Sequence, residues 1–275
     1  MVTIQEIPAE FQFDYDLDEL KAIWPRLHAI DGEPSPSVPT VRALMAGQQV
    51  EHDQITEDLW MAWLDFHNGH FNRAFETGQA LGAAGFYVAH LAANTYGSYF
   101  LPKAQQADYF ETLITRGKSV VEGHADQINI IYVHALHLGR YAQSVSPVKA
   151  LSSGIVPDFR KALENCLALS PGHIPSLLAH AALMIEAIVT MGELPARMGF
   201  GATRKKILRQ YEQALELADP PPLVFLEVAK GLARLEKRKA KDKVKSLLTQ
   251  AVSAARMDPM DALDIRDAMD LLKGY

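Results

Sequence analysis

A single cysteine, Cys166, excludes an intramolecular disulfide framework and fits a reducing compartment. It sits in "KALENCLALSP", where a small apolar residue would pack, so its context is that of a core residue rather than a reactive thiol. No apolar run approaches the eighteen or so residues of a membrane span, so none is expected. The opening "MVTIQEIPAEFQFDYDLDE" has neither a basic start nor an apolar stretch; the expectation is no secretory signal and a cytoplasmic location. Basic charge is in the minority. A formal net charge of −6 argues against nucleic acid or an anionic membrane as the main partner. The one basic concentration, "ARLEKRKAKDKVK" (233–245), alternates with acidic and apolar residues and reads as an exposed inter-helix turn. Catalytic signatures are missing as well: there is no HExxH, no CxxC, no GxSxG and no Walker-type phosphate loop. Paired carboxylates such as Asp16/Asp18 and Asp264/Asp267 read as an N-terminal pair and a charged helix face. General acid/base work needs such groups in a dry cleft. No enzyme, cofactor or metal centre is therefore expected.

What is present is a chain that is 48% hydrophobic and long enough, at 275 residues, to bury a large core. "DLDELKAIWPRLHAI" (16–30) has an acidic first turn and the apolar stripe Leu20, Ile23, Trp24, Leu27 and Ile30, which predicts a helix kinked at Pro25. "DGEPSPSVPT" (31–40) reads as a loop, followed by a helix from about 41 to 50. From residue 54 the chain becomes rhythmic. Helical periodicity predicts segments at 55–68, 70–82, 84–100, 103–122, 126–143, 156–169, 173–192, 203–218, 222–236, 240–256 and 259–273. Short Gly, Pro or Asp punctuation separates them, and no stretch alternates as a strand would.

The segment ends resemble one another. "FNRAFETGQALGAAG" (71–85), "FRKALENCLALSPGH" (159–173), "ILRQYEQALELADPP" (207–221) and "VKSLLTQAVSAARMDP" (244–259) share one pattern. Each places large apolar residues a helical turn apart, then a small residue, then a Gly or Asp/Ser-Pro stop. Ala214 and Ala251 lie 37 positions apart, and Cys166 and Ala214 lie 48 apart with an obvious loop between. Such periods suit two-helix repeats with insertions, the small residue letting neighbouring helices approach.

"YEQALELADP" resembles the second half of a tetratricopeptide repeat, and "LDFHNGHFNRAFETGQAL" (64–81) resembles the repeat's turn, with Gly69 between helices and Phe71 and Ala74 opening the second. The stretch 137–220 is similar to a narrower branch, which includes the T component of certain TRAP transporters and the regulator-of-microtubule-dynamics proteins. The shared features are a Gly-Arg pair ending one helix, the "KALENCLALSPGH" repeat end and a Gly-rich loop before the next. The resemblance implies an all-α, right-handed solenoid of four or five antiparallel helix pairs. The expected organisation is a single domain over 1–275, with a cap region at 1–52, degenerate repeats over 53–257 and a C-terminal helix at 258–275. It also implies non-catalytic scaffolding, with a protein or peptide segment held in a concave groove lined by the first helix of each pair.

Candidate groove residues follow from helical spacing. In "QINIIYVHALHLGRYAQ" (127–143), Ile131, Ala135, Leu138 and Ala142 form a core stripe, while His134, His137 and Tyr141 form a second one about 90° away. Trp60, Trp63 and His67 make an i, i+3, i+7 stripe on an earlier first helix, where aromatics more often fill a core than a binding platform. Phe86, His90, Asn94 and Tyr99 continue the polar-aromatic character on the next. The partner-binding set expected is thus His134, His137, Tyr141, Trp63, His67, His90 and Asn94, with Phe200 contributed by a Gly-rich loop at 191–203. The alternative is an accessory protein for a small ligand, bound between helix 126–143 and that loop. Two histidines at i and i+3 fall short of the three or four ligands of a zinc site, so solvated or satisfied histidines are the favoured reading.

Overall fold

The structure is a computed structural model that describes residues 2–275. It is all-helical, with no strand among the described residues. The chain forms two compact units, Met1–Ser170 and Pro171–Tyr275.

The first unit opens with a 3-10 turn at Ala9–Phe11, whose Phe11 is buried and meets Phe100 edge-on at 5.9 Å. Helix α1 (Leu17–Leu27) starts at a capping box in which Asp16 accepts from the Glu19 amide while the Glu19 carboxylate accepts from that of Asp16. It runs through Pro25 and ends two residues later. Helix α2 is Val38–Leu44, a few residues earlier than its periodicity predicts, because Ser37 and Thr40 build a second capping box ahead of it. Then come α3 (His52–His67), α4 (Phe71–Ala80), α5 (Phe86–Tyr99), α6 (Lys103–Gly123), α7 (Ile128–Ser144), α8 (Pro147–Ser152) and α9 (Ile155–Leu169). Packing is mostly between neighbours: α3 on α4, α4 on α5, α6 on α7 and α7 on α9. A second set of contacts joins α3 to α5 and α5 to α7. Helix α5 is buried along most of its length because α3, α4, α6 and α7 all pack on it. Its crossing with α4 is a direct backbone contact, since a Cβ on Gly85 would collide with the Gly78 carbonyl.

In the second unit α10 (Ile174–Met191) packs against α11 (Glu193–Phe200), α12 (Arg204–Leu215) and α13 (Pro222–Glu236). The last two helices, α14 (Lys241–Ser253) and α15 (Pro259–Leu272), complete it by packing on α13 and on each other. The repeat-end residues Cys166, Ala214 and Ala251 are all fully buried, as small packing positions should be. The thiol of Cys166 points from α9 at the Ile128 carbonyl of α7, at 3.7 Å.

Four local expectations change. The serine-rich stretch 142–154 contains α8, nucleated by the Ser146 cap and Pro147. The Gly-rich stretch 191–203 is not an open loop but carries α11, bounded by Gly192 and Gly201, with Ala196 buried beneath it. Arg204 ties it down by pairing with Glu193 at 2.5 Å and with Glu236 of α13. Asp264 is not on a solvated face, being 1% exposed on the inner side of α15. Helix α10 has eighteen residues and a mean hydropathy of 1.7, the length and composition of a membrane span. Ser176, His180 and Glu186 interrupt the apolar run, and 61% of the helix is buried within the protein.

Candidate functional site

The most chemically distinctive place in the first unit lies where the turn after α1 crosses α3, α5 and α7. Gly32 adopts φ 62°, and its amide donates to the His28 carbonyl at 2.9 Å, closing α1 and folding Asp31 and Glu33 back over His28. The Asp31 carboxylate then accepts from His28 Nδ1 (3.1 Å), from the Tyr87 hydroxyl on α5 (2.7 Å) and from the Glu33 amide (3.1 Å). The last contact is a side-chain turn of the kind that Asp favours. Asn129 of α7 donates to Glu33 Oε2 at 2.6 Å, and the Trp24 indole N–H donates to the Glu33 carbonyl at 3.0 Å. Beneath the turn, Trp24 meets Trp60 and Trp63 edge-on at 5.1 and 5.4 Å, and Trp63 meets Tyr87 at 5.6 Å. His67 stacks on Trp63, and its Nε2 faces that of His28 at 3.3 Å.

Two carboxyls side by side are thus given opposite characters. Burial pushes Asp31 up, but the His28 charge and the hydrogen bonds from His28, Tyr87 and the Glu33 amide outweigh it and bring the carboxyl down to about 2. Burial pushes Glu33 up, the Asp31 charge adds to it, and the Asn129 hydrogen bond only partly offsets them, leaving that carboxyl at about 7. Burial and the Asp31 charge raise the Tyr87 hydroxyl well above its ordinary value, so it remains a donor.

The expected groove residues fall into three places. Trp63 and His67 belong to the cluster just described, enclosed under α1 rather than open to solvent. His90, Asn94, His137 and Tyr141 are also buried, and His134 is half-buried. His90 and Asn94 of α5 and His134 and His137 of α7 form a seam where the two helices pack. Phe86 stacks on His90 at 3.9 Å, and His90 and His137 lie 5.1 Å apart. His137 Nε2 donates to the His90 carbonyl at 3.2 Å. The Nδ1 atoms of His90, His134 and His137, together with Asn94 Oδ1, Ser98 Oγ and Arg140 Nε, are buried with no hydrogen-bond partner in the protein. Burial holds all three imidazoles below their usual range, His90 at about 3, so the three rings are uncharged at neutral pH. Asp158 of α9 is a carboxylate whose charge reaches His134. Phe200 sits at the end of α11, in the second unit.

Sequence reasoning passed over His28, Asp31, Glu33, Tyr87 and Asn129. The available signal was the acidic pair in "DGEPSPS", set in an otherwise uncharged Pro/Ser stretch directly after Trp24 and His28. No group of His, Cys, Asp and Glu among the described residues is arranged to hold a metal ion. No protein-family model matches this chain, and no curated protein is significantly similar to it.

Proposed function

We propose that this chain is a non-catalytic helical-repeat scaffold of the tetratricopeptide type, and that the face formed by α3, α5 and α7 binds an extended protein or peptide segment. In this reading α3/α4, α5/α6 and α7/α9 are helix pairs of a right-handed solenoid, and α10/α12 and α13/α14 are pairs of the same kind within the second unit. The alternation of contacts within each unit supports it: α4 packs on α5, α6 on α7 and α12 on α13, while α3 packs on α5, α5 on α7 and α10 on α13. The observation that carries the binding role is that Asp31 and Glu33 cross the α3–α5–α7 face in an irregular, non-helical turn, with Tyr87 and Asn129 donating to their carboxyls above Trp63. Extended peptides are recognised by hydrogen bonds that hold the segment and by pockets that take its side chains.

The test is selection of a random peptide library on the full chain, followed by binding of the selected peptides to Tyr87→Phe and Asn129→Asp. The expected result is at least a fivefold loss on one of the two variants. Peptides that bind both variants like the parent would refute the assignment of this face.

A second reading, a small polar ligand between α5 and α7, draws on the six unpartnered polar atoms of the seam. Those atoms belong to the core of the helix pair, and their role is separable by substitution, as argued below.

A further inference from the structure

Resting on the peptide-binding reading, we propose that Asp31–Ser37 is an internal occupant of the α5–α7 face, exchangeable for an acidic partner segment of the form Asp-x-Glu followed three residues later by proline. Four contacts on the turn are donors aimed at its acceptors: Tyr87 O–H and His28 N–H at Asp31, Asn129 N–H at Glu33, and Trp24 N–H at the Glu33 carbonyl. A site built of donors selects carboxylates, and two of them one residue apart match the spacing of Tyr87 and Asn129. Pro36 is the buried apolar anchor that follows.

The turn is held in a way that permits release. It has no helix or strand of its own, Pro34 and Ser35 are exposed, and Gly32 has no neighbouring atom within reach of a Cβ. Its backbone contacts go to the flanking segments, from Gly32 to His28, from Glu33 to Trp24 and from Ser37 forward to Thr40 and Val41, rather than to α5 or α7. Glu33 is held by a neutral amide, with the Asp31 charge against it and only the His28 ring to offset that charge. A buried carboxyl with such partners is a poor stabiliser. Three of the donors that would receive a partner's carboxylates, Trp24, Tyr87 and Asn129, are on helices and stay in place when the turn leaves.

The probe is a fluorescent synthetic peptide with the sequence AIDGEPSPSVP (residues 29–39), titrated against the full-length chain. Glu33→Lys removes the carboxyl to which Asn129 donates and leaves the Tyr87–Asp31 contact of the internal turn in place. We expect the peptide to bind Glu33→Lys at least tenfold more tightly than the parent, and the gain to vanish in Glu33→Lys/Asn129→Asp. Hydrogen exchange of the peptic segment covering 28–37 should be faster in Glu33→Lys than in the parent. Equal affinity for parent and variant overturns the proposal, as does a gain that survives Asn129→Asp. If Glu33→Lys and Glu33→Ala both fail to fold, the turn is a strut and the proposal is likewise wrong. The peptide-binding reading survives any of these results if library peptides of other composition still depend on Tyr87 or Asn129.

Discussion

Glu33 is the residue at which sequence, burial and titration meet. Its carboxyl stands at about 7 in the folded chain against an ordinary value of 4.5, so between those values the folded state holds a proton that the unfolded state has released. The resulting stability is fully present below about pH 4.5 and is lost as the pH rises through 7. The seam histidines act in the opposite sense, since burial keeps His90 and His137 neutral while the unfolded chain gains protons below 6.5. Their contribution is lost as the pH falls. The two effects partly mask each other in the parent, and Glu33→Gln separates them. We expect that variant to gain stability relative to the parent as pH is raised from 5 to 8, by up to about 3 kcal/mol for a shift of this size. Urea unfolding at both pH values measures it, and a pH-independent difference would contradict the burial of this carboxyl. At the seam, His137→Ala should cost about 2–4 kcal/mol, as cavities in a packed core do. His137→Phe should cost less than His137→Ala, because it keeps the ring and removes the unpartnered buried Nδ1, losing only the Nε2 bond to the His90 carbonyl. A loss in His137→Phe as large as that in His137→Ala would mean that Nδ1 is engaged as well as Nε2 and would favour the small-ligand reading.

At the scale of elements, close approach of helices sets the tolerances. Gly78 and Gly85 bring the α4 backbone against the start of α5, and a methyl group on Gly85 would meet main chain rather than a movable side chain. Gly85→Ala should therefore destabilise by several kcal/mol, within the upper range for single substitutions, while Gly123→Ala at the open end of α6 should be neutral or slightly stabilising. Thermal unfolding of the two variants compares them directly. The helices themselves were largely legible: from α3 onward the 3.6-residue periodicity and the Gly and Pro stops located nearly all of them. Failures came where punctuation residues were used inside a helix, as with Pro195 and Gly199 of α11, or where Pro147 starts a short one. The site was harder to see for a different reason. Helical spacing correctly grouped His134 with His137 and Trp63 with His67, but periodicity reports which residues share a face and not what covers it. Trp63 and His67 are covered by α1, and His137 by α5, contacts between elements up to 47 residues apart that carry no local pattern. Asp31 and Glu33 belong to a turn, where no period exists to mark them.

At the scale of the whole molecule, the chain divides at Ser170/Pro171 into units that each possess an interior. The second has its own buried column in Leu177, Met184, Ile185, Ile207, Val224, Leu226 and Leu248, together with a buried polar pair, His180 and Gln210. Its ends are closed locally: His173 caps α10 by accepting from the Ser176 amide, and Asp258 caps α15 by accepting from that of Asp261. A unit of this size is within the range in which a single hydrophobic core supports independent folding. A fragment comprising residues 171–275 should accordingly be helical by circular dichroism and unfold in one cooperative thermal transition. Within it, Gly231→Ala should lower the midpoint by several degrees, because a Cβ there would overlap the Tyr211 hydroxyl, whereas Gly199→Ala should not. A fragment that is helical but melts without cooperativity, or that is indifferent to Gly231→Ala, would mean that α10–α15 do not form a core by themselves. The repeats would then be stabilised along the full chain, as in an array whose members are not separately stable.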